Sequence, residues 1–359
     1  MPQFIPGFAL VGTTATGKTQ LALDLAKWWL TQPDSPGSNQ VELVEGIMLI
    51  SADSRQVYRG LEIVSGADIP SEFQPQTSTL THQNPSVAQI LQHYFWLPVG
   101  KKFLEIWGVA GLAPTQDWSV AEFQQFVQVL LKRAQTKKMA VILVGGSGLY
   151  HQLIWQKDWQ ISLIPNQEIR TKAQSLTIIE LQAWLQKLAP QQWERLNQSD
   201  RANPRRLVRQ LELATSNTSL ISQATAPAQT NLNQVKVPTL GLTRSITELP
   251  ELIQTRVKFR LKLGAEAEVM NLELAKIQPM VTSALGVKEI GLKLAEKISD
   301  SELIELWTKH ELQYAKRQLT WWKKRTGVTW IEANHETQLT VLAQTKQWLT
   351  QTHPKLPLS

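Results

Sequence analysis

Cysteine is absent from all 359 residues, so no disulfide can staple this chain and no thiolate can ligate a metal. Histidine is sparse: the six, at positions 82, 93, 151, 310, 335 and 353, are scattered without the paired spacing of a metal site. His151, just past Tyr150, reads as a helix-surface residue. No apolar run approaches the ~18 residues of a membrane span, and no basic segment followed by an apolar stretch and a small-residue cleavage site opens the chain. These absences lead us to expect a soluble, cytoplasmic protein with no membrane partner. There is also no internal repeat and no low-complexity tract.

Charge is present but lopsided. Residues 1–155 carry 10 basic and 11 acidic side chains, whereas residues 156–359 carry 27 and 19. A near-neutral first part joined to a second part at +8 suggests a catalytic half and a half that meets a polyanion. The length suggests two or three domains and a substantial core.

The first chemical motif is GTTATGKT. Gly12, Thr13, Thr14, Ala15, Thr16, Gly17, Lys18 and Thr19 fit G-x-x-x-x-G-K-[ST], a loop whose amides wrap phosphate oxygens while the lysine neutralises them and the last hydroxyl reaches Mg²⁺. A short apolar run, 8–11, precedes it, and Leu21, Leu25 and Trp28 recur behind it at helical spacing. Lys18 therefore opens a helix whose positive dipole end faces the anion. Such loops usually hold ATP or GTP, but they hold any diphosphate of the right shape.

Three further strand-like runs end in polar or glycine-rich tips: 47–50 before Ser51-Ala-Asp53-Ser54, 140–144 before Gly145-Gly-Ser147-Gly148, and 237–240 before Gly241-Leu-Thr-Arg244. Helical patterns lie between them, notably 120–135. Alternation of this kind predicts an α/β fold, a P-loop parallel sheet flanked by helices, with ligands at the carboxyl ends of the strands. We expect 1–154 to form the first part of the core and 155–202 a helical insertion. Residues 203–335 would complete the core with a helical C-terminal part, and 336–359 would be a tail. Residues 214–235, rich in Ser, Thr, Gln, Asn and Ala, read as an exposed loop. On a helix from about 311 to 325, Leu312, Ala315, Leu319 and Trp322 line one face and Lys316, Thr320 and Lys323 the other, as a phosphate-binding helix requires. The fourteen tryptophans read mainly as packing residues. Asp53, at a strand tip facing the loop, can be a Mg²⁺ ligand, a general base or a turn carboxylate; local sequence does not separate these.

The motifs taken together resemble those of the tRNA dimethylallyltransferase family. GTTATGKT and SADSRQVYRGLEI are similar to its two N-terminal motifs. DWSVAEFQ, VGGSGLY, ANPRRLVRQLEL, GLTRSITELPELIQTRVKFRLKLGAEAEV, SALGVKEI and YAKRQLTWWKKRTGVTW follow in the family's order, from residue 9 to about 332. The resemblance implies that the loop holds dimethylallyl diphosphate, with Mg²⁺ at Thr19. It further implies that N6 of the adenosine at tRNA position 37 attacks the allylic carbon and expels diphosphate. Asp53 would be the base and Thr14 a catalytic donor. The anticodon stem-loop would meet Asp53, Ser54, Arg55, Gln56, Ser147, Arg205, Arg206, Arg209, Lys288, Lys316 and Arg317, on a protein acting as a monomer.

The chain departs from the family pattern at Thr13 for proline, Ser147 for threonine and Val287 for tyrosine. It departs most in VSGADIP and HYFWLPVGKKFLEIWGVAGLAP, a region expected to border the substrate channel. Rival readings are an isopentenyltransferase of free adenine nucleotides, a P-loop kinase and a silent RNA-binding paralogue. The basic second half favours RNA.

Overall fold

The structure is a computed structural model that describes residues 7–32, 44–155, 166–215, 237–272, 277–333 and 338–352. Two compact units emerge, one of residues 1–155 and 235–359, the other of 156–234.

In the larger unit eight strands form one sheet: β1 (Gly7–Gly12), β2 (Gly46–Ser51), β3 (Gln74–Thr77), β4 (His93–Val99), β5 (Lys102–Trp107), β6 (Met139–Gly145), β7 (Thr239–Thr243) and β8 (Val328–Glu332). Their order is β3-β4-β5-β2-β6-β1-β7-β8. From β5 to β8 every pairing is parallel, and β4 and β3 add an antiparallel edge. The four runs singled out from sequence are neighbours. Val11 of β1 lies opposite Gly145 of β6 and Gly241 of β7, and Ser51 of β2 opposite Val144, so their carboxyl tips end level.

Because side chains alternate along a strand, β1 buries Ala9 and Val11 on one face and Phe8 and Leu10 on the other. All four are at most 1% exposed, the signature of a central parallel strand covered on both sides. The first face carries helices Val120–Thr136, Leu249–Leu263 and Asp300–Lys323; Phe123, Phe126, Val257 and Trp322 fill it. The second carries Lys18–Thr31 and Gln338–Thr352. Side-chain hydroxyls set several starts. Ser119 and Glu122 form a reciprocal capping box at Val120, and Ser299 and Glu302 do so at Asp300, each such cap being worth about 1 kcal/mol.

Three expectations change. The segment read as a tail from 336 contains helix Gln338–Thr352, whose Val341 and Leu349 are buried and whose Trp348 meets Phe8 edge-on at 5.7 Å. The chain does not rejoin the sheet at 203. Helix Pro204–Thr215 belongs to the smaller unit, because Leu207 and Leu211, one turn apart, pack with Leu181, Leu185, Ile169 and Ala173. The unfamiliar stretch before residue 114 is the antiparallel sheet edge: β3 to β5 with helix Pro85–Leu91. Of the loop expected at 214–235, all but 214 and 215 lies outside the described residues.

Candidate active site

β1 delivers the chain into the loop through Gly12, at φ +141°, where a Cβ would sit 2.1 Å from the Leu242 carbonyl oxygen. Only glycine fits there. Ala15 is held at φ 63°, a left-handed conformation costing a non-glycine residue about 1–2 kcal/mol. Gly17, also left-handed at φ 83°, begins helix Lys18–Thr31, whose first turn holds no acid to neutralise its free amides. Thr16 Oγ1 donates to the Thr13 carbonyl at 2.9 Å and the Lys18 ammonium donates to that same oxygen. Burial, reinforced by the nearby Arg256 charge and partly offset by Asp53, brings the Lys18 pKa from 10.5 down to about 7. The loop is wound for an anion.

One strand over, the tip of β2 carries Asp53, Ser54 and Arg55. Asp53 Oδ1 accepts the Arg55 backbone N–H at 2.9 Å, the turn role left open by sequence, and its carboxylate still lines a cavity of about 290 Å³. Thr14, Ser54, Arg55 and Arg317 share that cavity. Its walls are divided: Arg55, Arg256, Arg260 and Arg317 are cationic, whereas Leu61, Val64, Val281, Ala284 and Val287 are apolar. Val287 thus stands at the wall where the family pattern has tyrosine. Ser147, half-buried at the tip of β6, is a hydrogen-bond partner of Tyr314, whose hydroxyl is pushed up to about 12, chiefly by burial and then by Asp53.

Other expected contacts lie elsewhere. Gln56 is turned into the protein, accepting from Ser51 Oγ at 2.7 Å and donating to the Gly66 carbonyl at 2.8 Å. Lys288 and Lys316 are exposed on the larger unit. In the smaller unit Arg205 is exposed, Arg206 is paired with Asp200, and Arg209 pairs with the buried Glu212 at 2.7 Å. Thr19, assigned to Mg²⁺, is half-buried in the first turn of its helix. Among the described residues no cluster of three or more His, Asp or Glu could cage a metal. A hydroxyl at the loop fits Mg²⁺ only in the manner of a phosphate-bound ion that keeps several waters.

Two readings are corrected. His151 is not on the surface: it is 0% exposed, its Nε2 is 3.2 Å from the Gly145 carbonyl, and burial depresses its pKa to about 3. Residues 71–114 do not line the cavity; from the departing region only Val64 and Ser65 reach it.

Sequence reasoning missed three side chains that converge on Thr14 and a fourth, Arg260, that stands behind them on Glu311. Gln318 Oε1 accepts the Thr14 backbone N–H at 2.8 Å, and the Thr14 hydroxyl donates to Glu311 Oε2 at 3.4 Å. Arg256 donates to the Thr14 hydroxyl and, at 2.5 Å, to Glu311; Arg260 donates to the other Glu311 oxygen at 2.8 Å. A signal existed. Glu311 and Gln318 lie two turns apart on the stripe that buries Trp307, Ala315 and Trp322, and polar residues on an apolar stripe call for partners.

The sheet brings a glycine-hinged loop, a strand-tip carboxylate and an arginine-lined cavity together, and the comparisons with known proteins place this arrangement in a transferase. The sequence model of the IPP transferase family matches residues 108–325, and the chain belongs to that family. It is 29% identical to the tRNA dimethylallyltransferase of Acaryochloris marina over 96% of this chain and 99% of that one. Its identity to the Nostoc punctiforme tRNA dimethylallyltransferase is also 29%, over 91% of both chains. The fold is shared with the tRNA isopentenylpyrophosphate transferase of Bacillus halodurans, at TM-score 0.58, 23% identity and coverage of 98% of this chain and 97% of that one. A eukaryotic dimethylallyltransferase acting on tRNA matches at TM-score 0.65 and 20% identity, over 97% of this chain and 79% of that one.

Proposed function

We propose that this protein transfers the dimethylallyl group of dimethylallyl diphosphate to N6 of adenosine 37 in the anticodon stem-loop of tRNA, releasing diphosphate. The observation that carries this reading is the shared cavity: the loop's Thr14 and the Asp53 carboxylate face one space that has both a cationic and an apolar wall. An allylic diphosphate has those two ends.

An adenine amino group is a weak nucleophile because its lone pair is delocalised into the ring. As the N–C bond forms, Asp53 takes the amino proton, a contribution typically of ~10²–10⁴-fold. As the allylic C–O bond breaks, the electron pair leaves with the diphosphate. The remaining loop amides and Lys18 meet that growing charge, joined by the Thr14 hydroxyl once its proton turns from Glu311 to the diphosphate. Mg²⁺, held by Thr19 and the phosphate oxygens, would supply further charge neutralisation. The target base must leave its stack to reach Asp53, which suits an unpaired loop nucleotide. Arg55 and Arg317 at the cavity, Lys316 and Lys288 on the outer surface, and Arg205, Arg206 and Arg209 on the smaller unit are the cations assigned to the RNA. In this reading the protein acts as a monomer and works in the cytoplasm, where its tRNA substrate is found.

Incubation with labelled dimethylallyl diphosphate and either tRNA or AMP tests the reading. Label is expected in tRNA. Label in AMP alone would make the protein a free-nucleotide isopentenyltransferase, and label in neither would make it an RNA-binding paralogue.

A further inference from the structure

We infer that Glu311 is a positioning residue for the diphosphate, acting through Arg256 on Thr14; this rests on the reading above that the loop holds a diphosphate. Glu311 grips two arginines with separate oxygens, Arg256 at 2.5 Å and Arg260 at 2.8 Å. The Arg256 nitrogen that meets Glu311 also donates to the Thr14 hydroxyl, itself 3.4 Å from the carboxylate. A guanidinium is a rigid planar fork of five N–H donors, so fixing one nitrogen aims the others.

Exposure separates the roles. The Glu311 and Arg260 side chains are 4% and 5% exposed, while that of Arg256 is 27% exposed and faces the cavity. Glu311 and Arg260 therefore form a sealed, neutral pair, and Arg256 is the member left to meet a ligand. The charges are consistent with that arrangement. Burial works against ionisation of Glu311, but Arg256 and Arg260 keep its carboxyl below the usual range. Arg260 is brought down to about 10 by burial and then by Arg256, with Glu311 opposing. Arg256 likewise depresses Lys18. Three cations crowd the loop, and without the carboxylate Arg256 would be driven off Thr14. Two turns further along the same helix, Gln318 fixes the backbone of that same residue at 2.8 Å. One helix thus sets both the backbone and the hydroxyl of Thr14.

The deciding variant is Arg260→Gln with Glu311→Gln. It removes one positive and one negative charge, so the net charge around the cavity is unchanged and any loss of affinity reports orientation. Replacing a buried pair as a whole is tolerated far better than breaking it, so the double variant should fold. Calorimetry with Mg²⁺ and pyrophosphate should show binding weakened about tenfold or more. KM for dimethylallyl diphosphate should rise while KM for tRNA holds, and Glu311→Asp, which keeps the carboxylate, should recover most of the binding. A folded double variant with wild-type pyrophosphate affinity and KM overturns the inference while leaving the reading of the loop intact. A double variant that cannot fold makes the pair a fold element and overturns it too. Wild-type protein that takes up no pyrophosphate fells the reading of the loop itself, and this inference with it.

Discussion

Lys18 carries a pH dependence that its place in the loop dictates. Its pKa is about 7 in the folded, ligand-free protein against 10.5 for the ordinary side chain. The unfolded chain binds more protons in that window, so stability attributable to Lys18 rises with pH from about 7 and is complete above 10.5. A bound diphosphate favours the ammonium form, so above pH 7 binding must draw in a proton and affinity must fall as pH rises. Calorimetry in buffers of different ionisation enthalpy should register that uptake in wild type. It should vanish in Lys18→Arg, which stays charged; equal uptake in both would clear Lys18 of the effect. Asp53 is tested by a closer isostere than alanine. Asn keeps the oxygen that accepts the Arg55 amide, so the turn survives while the carboxylate is gone. Asp53→Asn should fold and bind tRNA as wild type does but transfer prenyl groups ~10²–10⁴-fold more slowly. Wild-type turnover would remove Asp53 from the chemistry.

Helix Asp300–Lys323 has two working faces. Its buried stripe holds Glu311 and Gln318 against the loop, and its outer face exposes Lys316, Arg317, Thr320 and Lys323. Gly146, at the tip of β6, makes the inner contact possible: a Cβ there would lie 2.1 Å from Gln318 Nε2 and 3.0 Å from the Gly12 carbonyl oxygen. The side-chain end of Gln318 gives way more easily than backbone, so Gly146→Ala should push it off the Thr14 amide. Leaving that donor without its partner costs about 1–3 kcal/mol. In denaturant melts Gln318→Ala should then add little in the Gly146→Ala background, because both changes remove one contact. Costs that simply add would show that the two residues act separately.

Among the described basic residues expected to meet the RNA, two pairs differ in how they are held. Lys316 and Arg317 are exposed, whereas Arg206 is paired with Asp200 and Arg209 with Glu212. An arginine that must exchange a carboxylate for a phosphate contributes less to binding than a free one. Filter-retention titrations against salt should show Lys316→Gln and Arg317→Gln each flattening the slope of log affinity by up to roughly one unit, with Arg206→Gln giving less. Affinity for the prenyl diphosphate should stay put for Lys316→Gln. A lowered melting temperature with an unchanged slope would mark these side chains as braces of the fold. Among the described residues no helix is long and apolar enough to cross a membrane.

Local rules made much of this legible in advance. The four parallel strands, the loop with its glycines, Asp53 at its strand tip and the two faces of the long helix all follow from short-range periodicity and from backbone geometry that few residues can adopt. Those signals need no partner and so can be read from the chain alone. The partnered features could not be read that way. Arg256 and Glu311 are 55 residues apart and Thr14 and Gln318 are 304 apart, and nothing in either stretch says that they meet. The antiparallel edge of β3 to β5, the burial of His151 and the allegiance of helix Pro204–Thr215 were hidden for the same reason. Each depends on which apolar surface a segment finds, and a side chain that reads as exposed polarity becomes a buried, paired group once a distant segment covers it. Sequence determined where an anion could be held; tertiary packing decided which arginines and which carboxylate stand around it.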